Sequence, residues 1–277
     1  MPTLREYAHY VPQPRENVSA KLHCVLISWD GYHTQSAQIS AAISDHVDDL
    51  TVVYSNAENS VESGAGNWIR VRNDWFYGRK FERALKEVRE DEVMLLIQAD
   101  AHCSDWPAVA RGCRTTLSSS PEVGVWSPAI TKTPWTEMRV KVASLAGDRL
   151  NFVAQTDGVV FGYGAAVLRR LRLLDYSDNN LGWGIDWVAI CFSYVNSLFV
   201  VTDRDLIIEH EEGQGYARED ALMQMDAFLD QMTPQESLMY VILNSYCHPK
   251  VARPRSEVPE LTGHIIEHVS IKDSRSS

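Results

Sequence analysis

A chain of 277 residues with 45% hydrophobic and 23% charged side chains has the balance of a globular protein that buries a substantial core without help. Lys and Arg number 26 against 37 Asp and Glu, and the resulting formal charge of −11 repels a phosphate polymer, so nucleic acid is not an expected partner. The longest apolar stretches, such as Val93 to Ile97 and Leu198 to Val201, are too short to cross a membrane, which excludes a transmembrane anchor; residues 1–17 lack the apolar core of a secretory signal, and the location expected is cytoplasmic.

Leu22 to Ser28 is an apolar run that ends in polar Ser28-Trp29-Asp30-Gly31, the way a buried strand delivers the chain to a functional loop. Helical spacing over Gln35 to Val47 and a second strand over Leu50 to Tyr54 complete a βαβ beginning, which implies a parallel sheet. A brief strand at Trp68 to Val71, an amphipathic helix over Trp75 to Arg89 and an apolar strand over Val93 to Ile97 repeat the pattern. The last of these runs without alternation into Gln98-Ala99-Asp100, as a strand covered on both faces does, so its polar end belongs at the rim where α/β folds bind ligands.

After Pro121, Val123 to Trp126, Arg139 to Ser144 and Phe152 to Ala154 read as antiparallel additions to the sheet. Asp157 to Tyr163 leads into a helix carrying Val167, Leu168 and Leu171, and Leu181 to Trp187 opens another that runs through Tyr194. Phe199 to Val201 and Leu206 to Ile208 are the last strands, followed by helices over Ala217 to Met232 and Pro234 to Leu243. The domain expectation is an extension over 1–20, one domain over 21–247 with its halves meeting near 120, and a peripheral tail over 248–277.

Several groups of residues have chemistry to offer. Asp100, at the end of a buried strand, suits a hard divalent cation, although Ser104 or Asp105 would serve if only a helix cap were needed there. His210 ends a second apolar strand about one hundred residues later; alone it reads as a hydrogen-bonded structural residue, and the joint occurrence with Asp100 favours a ligand pair. In Gly182-Trp183-Gly184-Ile185-Asp186, two glycines allow close backbone approach and the Trp can stack on a sugar. Asp186 reads equally as a general base and as a first-turn acid held by the helix dipole. Asn73, Lys80 and the aromatics between them could reach a diphosphate, but a solvated helix start capped by Asn73 or Asp74 is the simpler reading.

Seven further histidines, His23, His33, His46, His102, His248, His264 and His268, have no partner at metal-ligand spacing, the His264–His268 pair being read as incidental. Five cysteines at irregular spacing, with no C-x-x-C pair, read as reduced thiols. Neither a P-loop nor a G-x-S-x-G turn is present.

Taken in order, these pieces resemble the GT-A glycosyltransferases, especially the large bacterial class of inverting, family 2-like enzymes, over roughly Leu22 to Met232. The family's D-x-D motif corresponds to Gln98-Ala99-Asp100, its acceptor-side G-W-G-x-D segment to Gly182 through Asp186, and its late metal-binding His to His210. Two departures stand out: Gln98 replaces the first Asp of D-x-D, and Ile185 replaces the usual Glu before the catalytic Asp. The resemblance implies a GT-A sheet, mixed but mainly parallel and flanked by helices, with a small antiparallel acceptor-side region. It implies inverting transfer of a sugar, with Asp186 as base, from a nucleotide diphosphate sugar, commonly UDP-linked, to a carbohydrate or other hydroxyl acceptor. Asp100 and His210 would hold Mn²⁺ or Mg²⁺; Ser28, Trp29, Asp30, Asn56, Asn73, Lys80, Gln98 and Ala99 would bind the nucleotide, with Ser55 beside Asn56; and Asp157, Gly158, Gly182 and Trp183 would line the sugar and acceptor pocket. The departures keep open a GT-A-like module that binds a nucleotide sugar without turnover. A sugar nucleotidyltransferase is the other alternative, although Ser28 to Gln35 has one glycine and no Lys or Arg where its basic loop belongs. Self-association is left open.

Overall fold

Seven consecutive buried residues, Leu22–Ser28, form β1, and their side chains divide between the two faces of the sheet: Cys24 and Leu26 join one apolar cluster, Val25 and Ile27 the other. This is why β1 reads as continuous hydrophobicity rather than alternation. The computed structural model describes residues 21–58, 60–144, 149–210 and 216–248. The extension over 1–20 and the tail from 249, with His264 and His268, lie outside the described residues.

After β1 come α1 (His33–Ile43), β2 (Asp49–Tyr54), β3 (Asn67–Arg70), α2 (Tyr77–Leu85), β4 (Val93–Gln98) and α3 (Trp106–Ser119). They are followed by β5 (Val123–Ile130), α4 (Glu137–Val140), β6 (Lys141–Ser144), β7 (Leu150–Val153), β8 (Val160–Tyr163) and α5 (Ala165–Leu171). The chain closes with α6 (Ile185–Val195), β9 (Phe199–Ile208), α7 (Arg218–Leu229) and α8 (Pro234–Cys247).

The nine strands make one sheet in the order β3-β2-β1-β4-β8-β5-β9-β7-β6. Strands β3, β2, β1 and β4 are mutually parallel; β8 runs antiparallel between β4 and β5; β5 and β9 are parallel; β7 and β6 complete an antiparallel edge. Helices α1 and α3 cover one face through Ile39, Ile43, Val109 and Cys113, and α2, α5, α6 and α8 cover the other. The expected mixed, helix-flanked sheet is therefore the observed one.

Three expectations need correction. Strand β5 is antiparallel to β8 but parallel to β9, so the region after Pro121 still contains parallel pairing. Phe199 to Ile208 is one strand, interrupted only by a register shift against β5, rather than two. Helix α2 begins at Tyr77 with no side chain of its own segment capping it; the Phe76 N–H donates instead to Asn180 Oδ1 at 2.7 Å. The exposed Asn73 is not its cap, and Asp74 pairs with Arg72 at 2.6 Å.

Of the five cysteines, Cys24, Cys113, Cys191 and Cys247 are buried, Cys103 is partly so, and all are free thiols. No helix among the described residues is long and apolar enough to cross a membrane.

Candidate functional site

The parallel strands β1, β4, β5 and β9 all end at one rim of the sheet. Strand β8 runs the other way between β4 and β5, so it begins where they end, and its approach turn, Asp157-Gly158, lies against the end of β4. Gln98 secures this arrangement: its backbone N–H donates to Val159 O at 2.9 Å and its side-chain amide to Gly158 O, also at 2.9 Å. Ala99 is fully buried, its N–H donating to Ile27 O at 2.9 Å, so it belongs to the framework beneath the rim.

Beyond β4 and β9 a single antiparallel bridge joins His102 to Glu209, each N–H donating to the other's carbonyl at 2.8 Å. The bridge brings His210 Nε2 to 3.3 Å from Asp100 Oδ2. The other carboxylate oxygen, Asp100 Oδ1, is buried and has no hydrogen-bond partner among the described residues. A buried carboxylate oxygen without a donor is costly unless something positive meets it, and a carboxylate with an imidazole suits manganese or magnesium completed by substrate oxygens. The residues therefore fit a divalent cation.

Asp157 interacts with this pair, and Asp186 interacts in turn with Asp157. Asp157 is pushed above the ordinary carboxylate range, mainly by burial; the Thr133 hydroxyl, His210 and the Val159 N–H pull it back, while Asp100 adds to the rise. Asp186, in the first turn of α6 behind the left-handed Gly184, is pushed up to about 6. Burial is the main cause, with the Asp157 charge in support; the backbone N–H groups of Trp187 and Asp186 and the Gln155 amide, 3.1 Å from Oδ2, oppose it. Burial thus outweighs the helix N-terminus in setting the direction of its shift.

An aromatic wall spans the rim from β1 to α6. Trp29 meets Phe76 edge-on at 6.0 Å, Phe76 meets Tyr216 at 5.3 Å, and Tyr216 accepts a hydrogen bond from Trp183 Nε1 at 2.8 Å. Gly182, at φ +80°, lies so close to α2 that a Cβ there would run into the Tyr77 ring. Its N–H is held by Asn179 Oδ1 at 2.9 Å.

The other expected nucleotide-site residues divide between framework and surface. Ser28 is buried, its hydroxyl accepting from Ser36 and its carbonyl accepting from Lys80 Nζ at 2.7 Å. Lys80, read from the sequence as part of a solvated helix start, is only 2% exposed and sits 5.4 Å from the Trp29 ring centroid. Burial lowers its pKa to about 8, and it supports the β1 loop from beneath. Ser55 is buried and its carbonyl accepts from His33 Nε2 at 3.1 Å. Asn56 is buried, its amide donating to Ser60 and Glu62, and its Oδ1 has no partner among the described residues. Asp30 and Asn73 are exposed, Asp30 Oδ2 accepting the Ala57 N–H at 3.4 Å.

Thr133, Gln155 and Tyr216 contact the carboxylates or the aromatic wall, and no local motif marked them. One histidine does have metal-type neighbours: His23, with Asp49 and Glu92, forms a group of ligand-type side chains within 4.8 Å of one another. His23 is already engaged, 3.2 Å from Glu92 and 2.9 Å from Thr51, and the group stands at the starts of β1, β2 and β4, the opposite rim from Asp100.

The sequence matches no protein-family model and no curated protein. The fold is similar to that of GalNAc-T7, solved with UDP, GalNAc and Mn²⁺, with a TM-score of 0.56 at 11% identity over 92% of this chain. The present chain spans 55% of the GalNAc-T7 chain. It is also similar to glucosyl-3-phosphoglycerate synthase from Mycobacterium tuberculosis, in complex with Mn²⁺, UDP-glucose and phosphoglyceric acid (TM-score 0.50, 11% identity, 78% of this chain and 82% of that one). A looser likeness is to CMP:2-keto-3-deoxy-manno-octonic acid synthetase with CTP, at TM-score 0.45 and 14% identity over 76% of this chain and 99% of that one. At such identities the likenesses to GalNAc-T7 and glucosyl-3-phosphoglycerate synthase establish the GT-A-like fold and nothing finer.

Proposed function

We propose that the protein is a metal-dependent glycosyltransferase that moves a sugar from a nucleoside diphosphate sugar to an acceptor hydroxyl with inversion. The observation that carries this reading is the Asp100–His210 pair at the rim, with Asp157 interacting both with that pair and with Asp186, a carboxylate whose pKa is pushed up to about 6. The likeness in fold to GalNAc-T7 and glucosyl-3-phosphoglycerate synthase, solved with UDP or UDP-glucose and Mn²⁺, supports it.

In this reading Asp100 and His210 hold a divalent cation, which when bound neutralises the diphosphate as it leaves. Trp29, Asp30 and Asn56, where β1 and β2 reach the rim, line the base and ribose site, with Lys80 and Ser28 fixing the loop they stand on. Trp183 and the Asp157-Gly158 turn enclose the sugar. Asp186 is ionised at neutral pH yet more basic than a solvated carboxylate, which suits it to take the proton of the attacking hydroxyl. The Gln155 amide holds Asp186 Oδ2 and so orients the base.

Calorimetric titration of uridine and guanosine diphosphates, with and without manganese, into wild type, Asp100→Ala and His210→Ala tests the donor site. Manganese-dependent binding that both substitutions weaken tenfold or more is expected. Failure of folded wild type to bind either nucleotide would overturn the reading. Analysis of the product anomer decides inversion.

A further inference from the structure

On the side of the sheet away from β1 lies a cavity of about 360 Å³ between the end of β5, β7, the middle of β9 and the α4 segment. Its floor includes buried Gln155 and partly buried Asp157, and Gln155 is the residue that donates to Asp186 Oδ2 at 3.1 Å. Thr133, also in the lining, supplies the hydroxyl that contacts Asp157 and accepts the Trp135 N–H at 3.1 Å. The cavity thus reaches the residue that holds the proposed base.

Its mouth has a different character. Lys132 and Arg204 are exposed there, and Glu137, the first residue of α4, is the carboxylate beside them. Glu137 is shared: Lys141 Nζ lies 2.8 Å from one oxygen and Arg204 Nε 3.8 Å from the other. Lys132 makes no ion pair among the described residues and holds a left-handed backbone, φ 53°, at the turn that follows β5. Two lining cations, Lys132 and Arg204, against one carboxylate, Glu137, leave the mouth with a local positive excess in a chain of net charge −11. A non-glycine residue in the left-handed region is a cost the surrounding structure has to bear, and such residues concentrate at ligand sites.

We propose that this cavity receives a small acceptor carrying both a hydroxyl and an anionic group, a carboxylate or a phosphate. The hydroxyl lies at the Gln155–Asp157 floor and the anion at Lys132 and Arg204. The inference rests on the transferase reading and adds the substrate class to it. The acceptor oxygen bonds to the anomeric carbon of the nucleoside diphosphate sugar as that carbon's bond to the diphosphate oxygen breaks. The bonding pair leaves with the nucleoside diphosphate, and the hydroxyl proton passes to the Asp186 carboxylate. A volume near 360 Å³ is at the small end of ligand pockets, which favours a compact acceptor over a long glycan chain.

The test is ligand-observed NMR with glycerate, glycerol 3-phosphate and uncharged glycerol as probes, on wild type, Lys132→Ala, Arg204→Ala and the double variant. Each sample also contains manganese and uridine diphosphate, whose own binding is measured in parallel. At least one anionic probe is expected to bind wild type tenfold or more tightly than glycerol, and the double variant is expected to lose that preference while uridine diphosphate binding stays unchanged. The glycerate and glycerol 3-phosphate arms tell a carboxylate from a phosphate site. Equal binding of glycerol and the anions, no binding of any probe, or an unaltered double variant overturns the proposal. Loss of nucleotide binding in wild type instead counts against the transferase reading, and the probe titrations still report whether the cavity selects anions.

Discussion

His210 Nε2 lies 3.3 Å from Asp100 Oδ2, although 110 residues separate the two in the chain. The pair is held from behind by the His102–Glu209 backbone bridge, and Asp100 Oδ1 has no hydrogen-bond donor of its own among the described residues. A site whose ligands are already placed loses little on closing around a cation.

Manganese should therefore stabilise the folded protein. At a hundredfold excess over its dissociation constant a ligand that binds only the native state adds about 2.7 kcal/mol. For a domain of this size that is a rise of about 5–10 °C in Tm. Differential scanning fluorimetry should show the rise in wild type, its reversal by a chelator and its absence in Asp100→Ala. An equal rise in the variant would place the ion elsewhere.

Asp186 gives a pH dependence with a definite sign. As the proposed general base it acts in its ionised form, so kcat/KM should climb about tenfold per pH unit below about 6 and level off above. Asp157→Asn removes a neighbouring carboxylate that raises Asp186, so the acid limb should move to lower pH. A limb that stayed in place would mean the two carboxylates do not interact.

The same raised pKa bears on stability. A carboxyl that binds its proton more tightly when folded contributes stability at low pH that is lost as pH climbs from its ordinary value of 3.8 through about 6. Asp186→Asn should accordingly melt higher than wild type at pH 7 and show little difference near pH 4. Turnover should fall by about 10²- to 10⁴-fold, the usual contribution of a general base, with nucleotide binding retained. Thermal melts at the two pH values, set beside turnover, separate this from simple misfolding.

Asn180 ties the segment before α6 to α2, accepting the Phe76 N–H through Oδ1 and donating through Nδ2 to Asp74 O at 2.9 Å. Asn180→Ala should cost about 1 kcal/mol, the usual effect of losing a helix cap. Gly182→Ala, strained at φ +80° and driven into the Tyr77 ring, should cost about 1–3 kcal/mol or more. Urea melts with an unchanged slope and a lowered midpoint would bear out both; a neutral Gly182→Ala would mean that α2 and this loop are free to separate.

The legible parts of the chain were those whose signal is local. Leu22–Ser28 and Val93–Gln98 are covered on both faces, so their composition alone marks them as central strands. Asp105, read as one of two candidate caps, does cap α3, through the Ala108 N–H at 2.8 Å. What escaped was set by distant neighbours. Nothing near Val160–Tyr163 says that this strand will insert antiparallel between β4 and β5. Lys80 follows Arg79 at a helix start and reads as solvated; it is buried because the Ser28 carbonyl takes its ammonium. Thr133, Gln155 and Tyr216 acquire their places through contacts across the fold, which spacing along a chain does not record.

The bridge between His102 and Glu209 also orders events in time. Closing a loop of more than one hundred residues is slow compared with pairing β1, β2 and β4, whose separations are shorter. A nascent chain that has emerged only as far as β8 contains Asp100 but not the histidine that will face it. The amide protons of His102 and Glu209 belong to one opening event, so their exchange with solvent reports how often the Asp100–His210 pair comes apart while the rest of the sheet stays closed.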